Sequence, residues 1–135
     1  MRQLSKSRYA KFSQCPKCLW MSIYKPEEEV IDPQSEARFE TGHEVGDMAK
    51  GLFGEYVETS TIKEDGKLDI VSMLKKTQEY IAQGAENICE AAFSYEGNYC
   101  AVDILRKTDD GYAIYEVKST SFPEFNGQPA KLEKY

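Results

Sequence analysis

Asp103, Glu116 and Lys118 bring two carboxylates and an ammonium to the ends of one turn-rich stretch of this 135-residue chain. Strand side chains alternate between faces, so Glu116 and Lys118 would share a face while Val117 points the other way. The hairpin loop decides which of them Asp103 opposes. With Asp109-Asp110 as the two loop residues the partner is Glu116, and with Asp110-Gly111 as a type I′ turn it is Lys118. Either register gathers all three on one face. Directly opposed residues have Cβ atoms ~4.5–5.5 Å apart, and like charges there destabilise the pair. A cation between the two carboxylates removes that penalty. Carboxylates with an open water position suit Mg²⁺ or Mn²⁺. Such an ion activates water and clamps a phosphate oxygen, and a nearby lysine orients the nucleophile or neutralises transition-state charge. This is the chemistry of phosphodiester hydrolysis. The competing reading is a solvated ion pair with a bystander, ordinary in a chain that is 30% charged.

His43 is the only histidine. It follows Gly42 and precedes Asp47 by one helical turn, so it could pair with Asp47 at the surface, pack in the core, or serve as a metal ligand favouring Mn²⁺ over Mg²⁺. Cys15-Pro16-Lys17-Cys18 has the C-x-x-C spacing of zinc, iron–sulfur and redox sites. A closed metal site needs two more ligands, which Cys89 and Cys100 supply only if their strands face the N-terminal helix.

These residues need elements to position them. Residues 4–24 read as helical, with Ser5 as a cap and Pro16 dividing the segment into two short helices. Pro26 to Pro33, with Glu27, Glu28 and Glu29, reads as an acidic surface loop. Gln34 to Phe53 reads as a helix, with Phe39, Gly42, Val45, Ala49 and Leu52 on one face and Gly42 and Gly46 allowing a neighbour to approach. Glu55 to Gly66 suggests a short strand or extended link through Tyr56, Val57 and Ile62. Lys67 to Gln83 is amphipathic through Leu68, Val71, Leu74, Gln78 and Ile81, with Gly84 suited to its C-terminal cap. The period then changes. Ile88 to Tyr95, Tyr99 to Lys107 and Tyr112 to Ser119 read as an antiparallel three-stranded meander around two turns. Residues 122–130 read as a loop, and 131–135 as the start of a helix.

Composition bounds what these elements can build. A 41% hydrophobic content fits one globular domain. The chain contains no apolar run near the ~20 residues a membrane helix needs. Its start lacks the apolar region of a signal peptide, so the expected compartment is the cytoplasm, with the four cysteines reduced. The net charge of −6 hides an asymmetry: residues 1–25 hold Arg2, Lys6, Arg8, Lys11, Lys17 and Lys25 and no acid. Lys6, Arg8, Lys11 and Lys17 are therefore candidates for nucleic-acid contact beside an acidic, metal-collecting pocket. A solvated basic helix explains the same charges.

Asp103-Ile104-Leu105, a turn, then Tyr115-Glu116-Val117-Lys118-Ser119 resembles the signature of the PD-(D/E)XK nuclease superfamily. Phe39-x-x-Gly42-His43-x-x-Gly46 is similar to the helix by which RecB-like nucleases, including the CRISPR-associated adaptation nucleases, present a metal-binding histidine. Cys89-Glu90-Ala91-Ala92-Phe93 resembles the strand before the catalytic aspartate in that group, and residues 4–20 resemble the helix and cysteine that open its chains. The match spans roughly residues 4–119. The resemblance implies His43, Asp103, Glu116 and the Val117 carbonyl as metal ligands, with Asp103, Glu116 and Lys118 catalytic and Glu90 a further pocket residue. Relatives with an iron–sulfur cluster place one cysteine before the domain and three after it. Cys15 matches the first, but no cysteine follows Cys100, so neither a cluster nor zinc is expected here.

The expected fold is α/β, with a restriction-endonuclease-like core. N-terminal helices (1–25 basic, 34–84) precede a catalytic β-meander at 87–119 in a mixed sheet. The superfamily core continues past the lysine with a helix and a strand, whereas 17 residues follow Lys118. The resemblance therefore implies a single RecB-like domain, 1–135, whose C-terminal part is missing. An open sheet edge suggests a homo-oligomer. The expected function is a Mg²⁺- or Mn²⁺-dependent deoxyribonuclease acting on DNA, or the N-terminal part of one. The alternative is a non-catalytic nucleic-acid or protein-binding module with a nuclease-like fold.

Overall fold

The computed structural model describes residues 4–30 and 33–119. The loop and helix expected at 122–135 lie outside the described residues.

The basic N-terminal segment folds as its punctuation dictates. β1 (Leu4–Ser5) runs into α1 (Lys6–Gln14), where the Ser5 hydroxyl caps the helix by accepting the Arg8 N–H at 3.2 Å. Pro16 cannot continue α1, and it instead occupies the first turn of α2 (Pro16–Tyr24). A 3₁₀ turn at Pro26–Glu28 follows. α3 (Pro33–Lys50) is shorter than the expected 34–53, and Phe39 on it and Leu52 beyond its end are exposed rather than apolar core. Of the five residues expected on its packed face, Gly42, Val45 and Ala49 are half-buried.

β2 (Val57–Glu58) leads to α4 (Ile70–Ala82). α4 starts later than residue 67 because Leu68 bridges to Ile62, and Asp69 caps the helix by accepting from the Ser72 N–H and hydroxyl. Its buried face is Met73 and Thr77, flanked by half-buried Ile70, Leu74, Tyr80 and Ile81, while Val71, expected inside, is exposed.

β3 (Asn87–Tyr95), β4 (Asn98–Thr108) and β5 (Gly111–Tyr115) form the meander. The sheet order is β1-β4-β3-β2, with β5 also on β4. β1 pairs parallel with β4 and β2 parallel with β3, while β3–β4 and β4–β5 are antiparallel. The protein is thus α/β with a mixed, open sheet. Thr108 pairs with Gly111, making Asp109-Asp110 the loop, and this register runs to Ile104 opposite Tyr115. Of the two registers open to the sequence, the observed one points Asp103 at Glu116.

The third strand stops at Tyr115 rather than Ser119, because the Val117 N–H donates to Asp103 Oδ2 at 2.6 Å. A side chain has taken the donor that strand continuation would need.

The core beneath the meander contains an interruption in regular alternation. Ile88 and Ala91 on β3, with Val102 and Leu105 on β4, form one buried cluster packed by Val57, Tyr80 and Ile81. Residues three apart on a regular strand face opposite ways. On β3, Glu90 reconciles Ile88 with Ala91: its φ of 55° lies in the left-handed region, and the ladder omits the pair it would make with Asp103. Two buried threonines hold the distortion. Thr59 donates its hydroxyl to the Glu90 carbonyl, while Thr77 accepts the Ala92 N–H at 2.8 Å and donates to the Met73 carbonyl at 2.9 Å. Glu90 and Asp103 therefore stand together where the sheet departs from its own geometry.

Candidate metal and active site

A cleft of about 540 Å³ lies over this departure. α3 contributes Gly42, His43, Gly46, Asp47 and Lys50 to its wall, β3 contributes Glu90, and β4 contributes Asp103 and Ile104. Glu116, Val117 and Lys118 line it from the segment after β5, and Lys6 from the start of α1. The sequence-predicted residues His43, Glu90, Asp103, Glu116, Val117 and Lys118, drawn from four separate parts of the chain, therefore meet in one place. Cys15, Cys18, Arg8, Lys11 and Lys17 do not line it.

Charge within the cleft is divided unequally. Lys6 Nζ donates to both Glu116 oxygens, at 2.8 and 2.7 Å, and Lys118 Nζ donates to Glu116 as well. Hydrogen bonds from Lys118 and Lys6 hold the Glu116 carboxyl below its ordinary range. Burial alone would lower the Lys6 ammonium, but the Glu116 contact and the charge of Asp103 raise it overall. Among the described residues, no ammonium hydrogen-bonds to Glu90. Burial first, and the neighbouring Asp103 carboxylate second, push its carboxyl above the usual value.

Lys50 was not anticipated from the sequence. Its side chain is only 18% exposed, and its ammonium contacts Asp47 and Glu58, both at 2.9 Å. Burial opposes its charge, but these two carboxylates raise its pKa well above the ordinary lysine value. The signal was available: Lys50 follows His43 by seven residues and Asp47 by three, which is one helix face. Asp47 is thus paired with Lys50.

The donor set suits a hard divalent cation: carboxylates of Glu90, Asp103 and Glu116, the Val117 carbonyl and one imidazole. Burial, with the adjacent Asp103 carboxylate adding to it, raises the Glu90 carboxyl, and a cation bound there would oppose both effects. As the side chains stand, no three His, Cys, Asp or Glu groups among the described residues converge closely enough to hold a metal ion. Glu116 is turned onto two ammoniums and Asp103 onto the Val117 N–H, so ligation requires these side chains to re-aim.

The basic segment is also largely paired. Besides Lys6, Lys11 contacts Glu29 at 3.2 Å and Lys25 contacts Glu27 at 3.7 Å. All four cysteines are free thiols, and Cys89 and Cys100 on the sheet do not complete a four-ligand set with Cys15 and Cys18 among the described residues. Among the described residues, no helix is long and apolar enough to cross a membrane.

Compared with known protein families, curated proteins and solved structures, the chain matches none of them.

Proposed function

We propose that this protein is a divalent-metal-dependent deoxyribonuclease of the PD-(D/E)XK, RecB-like kind, or the amino-terminal part of one, with a restriction-endonuclease-like core. The observation that carries the reading is the convergence of His43, Glu90, Asp103, Glu116, Val117 and Lys118 on one cleft, although they come from α3, β3, β4 and the segment after β5. Asp103, Glu116 and Lys118 are the catalytic residues in this reading. His43, Asp103, Glu116 and the Val117 carbonyl would hold Mg²⁺ or Mn²⁺. A metal bound there supplies Lewis acidity toward a phosphate oxygen and a lowered pKa for a bound water. Lys118, hydrogen-bonded to Glu116, would supply positive charge beside the residues that hold the metal. DNA is the substrate class, and the expected setting is the cytoplasm.

The test is cleavage of single- and double-stranded DNA with Mn²⁺ or Mg²⁺, comparing wild type with Lys118→Ala and Asp103→Asn. Metal-dependent cleavage lost in both variants supports the reading; equal activity in all three proteins sinks it. The ammoniums seated on Glu116 favour a second reading, a DNA- or protein-binding module that keeps the cleft without catalysis. Salt-sensitive DNA binding with no cleavage in either metal would select it. Oligomerisation through the open sheet edge is a further expectation, readable by light scattering.

A further inference from the structure

We propose that Cys15 and Cys18 form a dithiol that exchanges reversibly with low-molecular-weight disulfides, a modification site separate from the carboxylate cleft. The placement of the pair carries this. Cys15 caps α2 in an extended conformation, Pro16 opens the helix, and Cys18 completes its first turn. The Cys15 N–H donates to the Lys11 carbonyl at 2.9 Å and its carbonyl accepts from Leu19 at 3.2 Å, so the residue is fixed between the ends of α1 and α2. Both thiols are free, and they stand three residues apart at the N-cap and in the first turn of α2. Cys18 is exposed and borders a second cleft, of about 360 Å³, between α2 and the acidic turn after it.

The two sulfurs are electronically unequal in the sense that exchange requires. The Cys18 N–H and thiol, with nearby Lys17, lower the Cys15 thiol, whereas Cys15 raises Cys18. A thiolate at a helix N-terminus is the usual attacking member of such a pair. Cys89 is the contrast, buried and pushed up to about 11.

The exchange balances without a metal. Cys15 thiolate attacks one sulfur of a glutathione-type disulfide, the disulfide bond breaks, and one glutathione thiolate leaves. Cys18, giving up its proton to solvent, then attacks Cys15 in the mixed disulfide and expels the second glutathione. The protein loses two electrons and two protons, and the external disulfide is reduced to two thiols.

The experiment uses the full chain. Reduced protein is equilibrated anaerobically with graded ratios of oxidised to reduced glutathione, quenched in acid, alkylated and mapped by peptide mass. A monomeric Cys15–Cys18 disulfide, lost again when the ratio is reversed, is the expected result. Cys18→Ser should accumulate a glutathione adduct on Cys15, and Cys15→Ser should react far more slowly. Four results would overturn the proposal: no intramolecular disulfide at the most oxidising ratio, Cys100 oxidised first, equal rates in the two variants, or zinc co-purifying with both thiols protected. Because mapping of the wild type already decides the first two, a variant that fails to fold does not rescue the idea.

Discussion

Lys6 grips both oxygens of Glu116 across 110 residues of sequence, and the pair sits at a gap in the sheet edge. β1 pairs with β4 at Asn98 and Tyr99, and β5 pairs with the same edge from Ile104 to Thr108. Lys6 and Glu116 are the first residues beyond those two strands, approaching from opposite directions. Asp103 lies in the stretch between, where no described strand pairs with β4 on that side. The ion pair thus spans the gap through which β4 exposes its carboxylate to the cleft.

On the proposed metal-site reading, that geometry makes Lys6 an internal substitute for the cation. With side chains 53% and 37% exposed, such a pair contributes roughly 0–1 kcal/mol to folding. Lys6→Met should therefore fold normally and bind Mn²⁺ several-fold tighter in calorimetry, because the metal no longer displaces an ammonium. Lys6→Arg should retain the wild-type affinity or weaken it. Weaker binding in Lys6→Met would show that Lys6 does not compete for Glu116. The pH sign is also fixed. Glu116 is depressed in the folded state, so its contribution is complete above the ordinary carboxylate value and is lost as pH falls through the depressed one.

Glu90 behaves in the opposite sense. Its folded carboxyl is raised by burial and by Asp103, so its protonated form is favoured and ionisation opposes folding. The relative stability it confers is present below the ordinary value and is lost as pH rises through the elevated one. Glu90→Gln keeps the left-handed backbone strain and removes the charge. Its melting temperature should match wild type in acid and exceed it increasingly toward neutrality, with Mn²⁺ narrowing the gap. A gap that is flat with pH would mean that the Glu90 charge is already compensated.

Thr77 tests the support beneath that distortion. Its hydroxyl is the partner of the buried Ala92 N–H and also reaches the Met73 carbonyl, tying α4 to β3 just past Glu90. Thr77→Val preserves shape but leaves the Ala92 N–H unpaired, which costs about 1–3 kcal/mol. Thr77→Ser should recover most of it. Urea unfolding of the three proteins reads this directly, and equal midpoints for Val and wild type would assign the N–H another partner.

What the sequence revealed follows the range of the forces involved. Ser5 and Pro16 placed α1 and α2, and Asp109-Asp110-Gly111 marked a turn, because caps and turns are decided by neighbours in the chain; the choice between its two registers, and so Asp103 opposite Glu116, came with the strand pairing. Cys89-Glu90-Ala91 reads as plain strand. The left-handed Glu90 is held by Thr59 and stands beside Thr77, partners 31 and 15 residues away from the backbone groups they bind. The end of β5 was hidden for the same reason: Val117 donates to a side chain, Asp103, rather than to the sheet. Glu116 and Lys118 still share a side, through their mutual contact rather than strand alternation.

Gly46 separates room for a ligand from room for packing. Among the described residues, a methyl group added at Gly46 meets nothing within 4 Å, against the expectation that it lets a neighbour approach, and the residue borders the cleft. Glycine inside a helix costs about 0.8–1.0 kcal/mol relative to alanine. Gly46→Ala should therefore raise stability by about that amount in urea unfolding while leaving the cleft usable. Gly46→Phe projects a ring from α3 into the space shared by His43 and Asp103. It should fold, yet lose Mn²⁺ binding and any metal-dependent cleavage. If Phe binds Mn²⁺ as wild type does, the metal lies outside this cleft; if Ala destabilises, α3 packs there against something other than open space.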